Sequence, residues 1–301
     1  MTVSSTERPM LRRAVGKGVT WGRARLDHAR TMFRLRFDRW QRDLIDRLVL
    51  RHLRSPETQQ RFAHDLVRGS PNPLVGTESF AFMCHVLGWC RASKSQLWQD
   101  VWALHRTGFR REGFFVDIGA SDGVQWSNSY LLEKTFGWTG ILVEPNPMHR
   151  EALRAGRSSR VHHGCVAAAS GEEVAFWCAQ DHELSGIGRY AEQDGHTASR
   201  REHTTIRLTT ISLNDLLGEC NAPQHIDYVS LDTEGSELDI LSTFDFARYR
   251  VKLWTVEHNH TANEAKIDRL MQTHGYRREF PEWSQFDAWY VAATPASTPS
   301  A

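Results

Sequence analysis

The sequence predicts an α/β fold: a Rossmann-like domain over roughly residues 110–293, with a mostly parallel seven-stranded sheet, helices on both faces and a terminal antiparallel strand. Three observations predict it. After Gly113, short apolar runs alternate with helical stretches, the pattern of a parallel sheet covered on both sides. The first run enters a turn bounded by Gly119 and Gly123, and later runs end in acids. A chain of 301 residues, 40% apolar and 24% charged, has room for one large domain and an accessory segment.

From the N-terminus, residues 1–20 are polar. Over 24–54, Leu26, Ala29, Phe33, Phe37, Trp40, Leu44 and Leu48 recur at spacings of three and four, one stripe of an amphipathic helix. Arg fills its other face. Residues 1–55 hold 14 basic and 5 acidic residues, which leaves the remainder acidic. A basic arm of this kind, 1–70, suits a peripheral membrane surface, a protein contact or a second copy of the chain. It is also compatible with a solvated helix that touches nothing. Ser70-Pro71-Asn72-Pro73 marks a loop and boundary. A helical lead-in occupies 71–110, where Ser95 is expected to N-cap the segment carrying Val101 and Leu104.

The strands then follow in order: Phe114–Gly119, Gly140–Glu144, a weaker Arg160–His163, Ile226–Asp232 and Val251–Glu257. Gly275–Phe280 and Phe286–Val291 read as a closing antiparallel pair. Residues 170–211 break the rhythm with short strands at Val174–Cys178 and Thr205–Ile211 and read as an insertion. The sheet domain proper is bounded at 111–293, and the small, polar tail 294–301 is expected to be disordered.

Five cysteines without C-x-x-C spacing exclude a disulfide framework and a structural zinc site. No apolar run reaches the ~18–20 residues of a bilayer span, and Arg interrupts any signal-peptide core. The expected location is the cytoplasm, with peripheral membrane contact through the arm left open.

Four motifs carry chemistry. In Val116-Asp117-Ile118-Gly119-Ala120-Ser121-Asp122-Gly123, a dinucleotide fingerprint would need Gly where Ser121 stands. Asp117, inside the strand end, disfavours a pyrophosphate and suits a cationic ligand such as the methionine moiety of S-adenosylmethionine (SAM). Glu144 ends the second strand, 21 residues beyond Gly123, and is followed by Pro145-Asn146-Pro147. Its two oxygens can accept from a ribose diol. Asp122, Ser127 and Asn128 are expected at the same mouth, and Cys165 near the adenine or simply in the core. Asp232-Thr233-Glu234-Gly235-Ser236-Glu237 ends the fourth strand, and Val256-Glu257-His258-Asn259-His260 the fifth. A hydroxyl needs a base before it attacks a methyl donor. Asp232, Glu257 or His258 can be that base, or the three can hold a divalent cation. Glu234 and Asn259 are the candidate acceptor contacts.

These residues resemble the FkbM-type methyltransferase family over about 93–292. The likeness runs through Phe115–Gly123, Ser127-Asn128, Leu131–Lys134, Gly137–Gly140, Val143–Pro147, Leu231–Glu237 and Val256–Asn259. Ser95-Gln96 and Gln99-Asp100 resemble the family's segment before the first strand. Ser121 stands where relatives often carry Asn. The resemblance implies a class I methyltransferase fold and SAM-dependent methylation of an oxygen on a sugar, glycan or secondary metabolite. Such an acceptor is a small molecule or a glycan. A nucleic-acid substrate is disfavoured, because Asp232-Thr233-Glu234-Gly235 replaces the Asn/Asp-Pro-Pro-aromatic run that holds a flipped base. The competing reading is a non-catalytic binding or trafficking module that keeps the fold. Retention of Asp117, Gly119, Gly123, Glu144 and Asp232 together argues against it.

Overall fold

The computed structural model describes residues 78–293, apart from Glu192 and Asp194. The basic arm, its amphipathic helix and the tail lie outside the described residues. The chain divides between Gly76 and Thr77, and the described residues all belong to the second unit.

Two helices come first, α1 (Glu78–Trp89) and α2 (Gln99–Arg106). The main sheet is then built from β1 (Phe114–Ile118), β2 (Thr139–Val143), β3 (Arg160–His162), β8 (His225–Leu231), β9 (Arg250–Glu257), β10 (Tyr276–Glu279) and β11 (Asp287–Ala292). Its order is β10-β11-β9-β8-β1-β2-β3. Strands β3, β2, β1, β8 and β9 are parallel, and β11 runs antiparallel between β9 and β10. The connecting helices are α3 (Tyr130–Phe136), α4 (Arg150–Gly156), α5 (Leu213–Glu219), α6 (Glu237–Thr243), α7 (Glu264–Thr273) and the short α8 (Pro281–Ser284).

Alternation along the strands divides the core. On β1 and β2, Val116, Ile141 and Val143 join one cluster with Leu216 of α5, Leu241 of α6 and Ile267 of α7. Phe115 and Leu142 point to the other face, where Phe82, Trp102 and Leu131 of α1, α2 and α3 cover them. Trp102 lies tilted on Trp289 of β11 with centroids 5.3 Å apart, so α2 is anchored to the last strand.

The 170–211 region carries both strands expected of it and, with Cys165–Ala167, forms a second sheet. Strands β4 (Cys165–Ala167), β5 (Glu173–Ala179), β6 (Gly186–Ile187) and β7 (His203–Ser212) pair in the order β4-β7-β5-β6. It has its own small core of Cys165, Val174, Phe176, Ile187 and Tyr190.

One local expectation is corrected. Ser95 is not the N-cap of α2; Trp98 is, in a left-handed conformation without a side-chain cap. Ser95 instead donates its hydroxyl to Asp100 Oδ1 at 2.7 Å and pairs through its backbone with Trp126. Residues 124–129 are a loop, and α3 begins at Tyr130.

Candidate active site

The parallel strands end on one edge of the sheet, and the strand order reverses between β1 and β8, where α/β sheets open a crevice. There Gly119 adopts φ +88°, and a Cβ on it would sit 1.8 Å from the carbonyl oxygen of Asp232. Only glycine lets the two strand ends approach this closely. Asp232 N–H donates to the Ile118 carbonyl at 3.0 Å and completes the contact.

A cavity of about 400 Å³ lies over this edge. It is lined by Asp117, Gly119, Ala120, Ser121, Asn128, Glu144, Asp232, Glu234, Glu257 and Asn259, ten of the residues singled out in the sequence. A smaller pocket continues from it past Gly119 and Glu144 to Pro145 and Cys165. Cys165 is 3% exposed, and burial, with Glu144 nearby, pushes its thiol up to about 12. It contributes shape and no thiolate.

Glu144 is held by its own turn. Ser121 N–H donates to Oε2 at 2.9 Å and Asn146 N–H to Oε1 at 2.7 Å. Burial outweighs these bonds and raises its carboxyl to about 7. Each oxygen keeps a lone pair for a diol. Asp117 is also raised, by burial against the opposing effects of Ser129 and Arg157. Ser129 Oγ donates to Asp117 Oδ2 at 2.5 Å, and Arg157 donates to Ser129 at 2.9 Å and to the Gly123 carbonyl at 2.8 Å. One buried arginine thus fixes the strand-end acid and the turn together.

Asp122, Gly123 and Asn146 support the site and line neither pocket. Asp122 Oδ1 accepts from Val124 and Gln125 N–H and caps the turn. Gly123 has φ +77° and packs where a Cβ would strike Leu153 and Arg157. Asn146 accepts from Met148 N–H and donates to Ser185.

The acid cluster is formed by Asp232, Glu234 and Glu257, whose nearest oxygens lie within 4.8 Å of one another. Arg200, 1% exposed, forms an ion pair with Glu234. Asp232 and Glu257 lie within hydrogen-bonding reach, and both are raised well above the carboxylate range. Burial is the first cause; for Glu257 repulsion by Asp232 comes next, for Asp232 repulsion by Glu234. Two such carboxylates share a proton more readily than both ionise. Glu257 Oε2 is buried without a partner, as is Asn128 Oδ1, whose Nδ2 donates to Ser230 at 2.9 Å.

His258 does not join them. It does not line the 400 Å³ cavity. Its Nε2 lies 2.9 Å from the Asp287 carbonyl and its Nδ1 accepts from His260 N–H at 3.1 Å. This is a neutral imidazole with both nitrogens committed, and burial lowers its pKa accordingly. The set Asp232–Glu257–His258 therefore does not converge on a cation, because β11 takes the imidazole away. The residue that does converge, Glu234, is already paired with Arg200.

Some lining residues carry no local signal in the sequence: Trp126, Phe286, the Asp181–Ser185 loop, His196 and Ser199. Arg157 and Arg200 are likewise ordinary surface arginines by sequence. Only pairing between distant segments brings them in.

The Methyltransferase FkbM domain model matches residues 117–278. No curated protein matches the sequence. Solved structures that resemble the chain include a precorrin-6y C5,15-methyltransferase from Geobacter metallireducens GS-15, 12% identical, covering 64% of this chain and 85% of that one with a TM-score of 0.34. A point mutant of MtNAS is 13% identical over 77% of this chain and 69% of its own, with a TM-score of 0.33. The same mutant in complex with S-adenosylmethionine is 13% identical over 78% and 72%, at 0.32. These likenesses are too weak to transfer any feature to this chain. The family match spans more than half of the chain, from the acid of the first motif through the last of the parallel strands, and the chain belongs to the FkbM methyltransferase family.

Proposed function

We propose that the protein transfers a methyl group from SAM to a hydroxyl of a sugar, glycan or secondary metabolite. The observation that carries this reading is the Asp232–Glu257 pair, Glu257 buried and Asp232 half-buried, beside the Asp117–Glu144 edge in one cavity. The donor fits the residues present. Glu144 offers two fixed oxygens to a diol, Asp117 offers a negative charge to an ammonium, and Gly119 lines the same cavity. SAM, when bound, supplies an electrophilic methyl group on a sulfonium.

This chain's residues do the rest. Glu257, which lines the cavity and whose Oε2 has no partner, accepts the proton of the acceptor hydroxyl. Asp232, beside it, shares the proton taken up. Arg200 pairs with Glu234 and offsets part of the negative charge beside them. His258, bound to the Asp287 carbonyl, holds the end of β9 against β11 and so positions Glu257.

The test is calorimetric titration with SAM and S-adenosylhomocysteine (SAH), with NAD as control. Micromolar binding of both, weakened about 100-fold or more in Glu144→Ala, is expected, since each lost charge-assisted bond costs about 1.5–3 kcal/mol. A folded protein that binds neither ligand overturns the reading and leaves the non-catalytic module in its place.

A further inference from the structure

The cavity walls beyond the donor edge hold two aromatic residues, Trp126 and Phe286. Trp126 is partly exposed, with φ +57°, a conformation that a bulky residue rarely adopts. Two constraints hold it there. Asp122 caps the two residues before it, and its backbone pairs with Ser95. The second aromatic is fixed by its carbonyl, which accepts from His258 N–H at 2.9 Å and Asn259 N–H at 3.1 Å.

The polar lining has one sign. Seven carboxylates line the cavity, and among the described residues no Lys or Arg does. Beyond the acids already placed, Asp181 and Glu183 stand on the loop over Asn146. Burial and then repulsion by Asp181 and Asp122 raise Glu183 to about 7. An added phosphate or carboxylate would have to shed its hydration beside these acids, with no described Lys or Arg lining the cavity to receive it. Among the described residues that line the cavity, the two buried side-chain atoms left without partners, Asn128 Oδ1 and Glu257 Oε2, are both acceptors, on side chains at least nine-tenths buried. A ligand that satisfies them donates hydrogen bonds, as hydroxyls do.

Building on the methyl-transfer reading above, we propose that Trp126 is the specificity-determining platform for an uncharged polyhydroxylated ring, and that the acid lining rejects the phosphorylated or carboxylated forms of the same ring. An aromatic face with a few convergent polar groups is a common way to hold such a ligand. It follows that any phosphate carrier is removed from the ring before methylation, by a reaction that transfers the ring or hydrolyses its phosphate.

The experiment measures methyl transfer from labelled SAM by the full-length protein to methyl hexosides and 6-deoxyhexosides, to hexose 6-phosphates and to hexuronates. Trp126→Ala and Trp126→Phe are run beside the wild type, with SAH affinity and thermal melting measured for each. Label is expected in neutral members, with kcat/KM lower by a factor of about 100 for the charged forms of the same rings. Trp126→Ala should raise KM about tenfold at unchanged SAH affinity, and Trp126→Phe should recover most of that loss. Equal use of a phosphate or uronate overturns the proposal. So does an unchanged KM in Trp126→Ala, or absence of label from every neutral probe while SAH still binds. Failure of the wild type to bind SAH overturns the donor reading itself, and this one with it.

Discussion

Asp232 and Glu257 are ordinary strand-end acids until the fold buries them together. Burial first, and like charge second, raises both well above the usual carboxylate range. The ionised pair is the base, so it accumulates as pH rises. The acidic limb of the pH–kcat profile should therefore lie above the ordinary carboxyl range, with activity lost as pH falls through it. In Asp232→Asn the repulsion on Glu257 is relieved, and the limb should move to lower pH. Asp232→Asn and Glu257→Gln should each lower kcat by about 10²–10⁴ while SAH affinity changes only a few-fold. Steady-state rates and calorimetry on the same preparations check both statements. His258→Gln should instead lower the melting temperature more than kcat, because its ring bonds are to the backbone of β11 and of its own turn.

The turn joining β1 to the cavity depends on close approach of two elements. Gly119→Ala would drive a Cβ into the Asp232 carbonyl at φ +88°. Strands β1 and β8 must then separate at the edge that carries the site. Gly137, in the cap after α3, has φ +71° and nothing within 4 Å of a Cβ. Its alanine variant meets only the backbone preference, about 1 kcal/mol. Urea unfolding should show Gly119→Ala costing about 2–4 kcal/mol and losing SAH binding, with Gly137→Ala near the smaller figure and binding retained. Equal costs would mean that the contact between strand ends relaxes freely. Helix α2 is secured from the other side, and truncating Trp102, fully buried against Trp289, should cost about 3–5 kcal/mol.

For the whole molecule, the acidic site conflicts with stability. Burial raises Glu144 and Asp287 to about 7, from ordinary values of 4.5 and 3.8. A carboxyl raised on folding holds more protons in the native state, so stability falls as pH rises from the unfolded value through the folded one. Histidines lowered by burial, such as His258 and His149, oppose this only below their unfolded value near 6.5. Between pH 6.5 and 8 the carboxyls therefore dominate. The unliganded protein should lose on the order of 1–2 kcal/mol across that interval, a few degrees in melting temperature. A melting temperature that rises from pH 6.5 to 8 would contradict the burial of these acids. Among the described residues no helix is long and apolar enough to cross a membrane.

Much of this is legible in the chain itself. Apolar runs with glycine and proline punctuation define each strand and its end, and parallel strands must present those ends on one edge. Asp117, Glu144, Asp232 and Glu257 can therefore be placed at a single mouth from the sequence alone. The terminal antiparallel strand is legible too, from the turn at Gly275 and the two runs after it. Its insertion between β9 and β10 is not, because strand order depends on which edge remains open after the parallel strands have paired. That insertion decides the fate of His258. Adjacent to Glu257 in sequence, it turns to the Asp287 carbonyl on β11, while Glu257 faces the cavity. Arg157, Arg200 and Trp126 belong to the same class: their roles arise from contacts across loops and between separate elements. Local pattern determined which residues stand at the strand ends. Long-range pairing, which alone satisfies buried polar groups, decided which of them face one another.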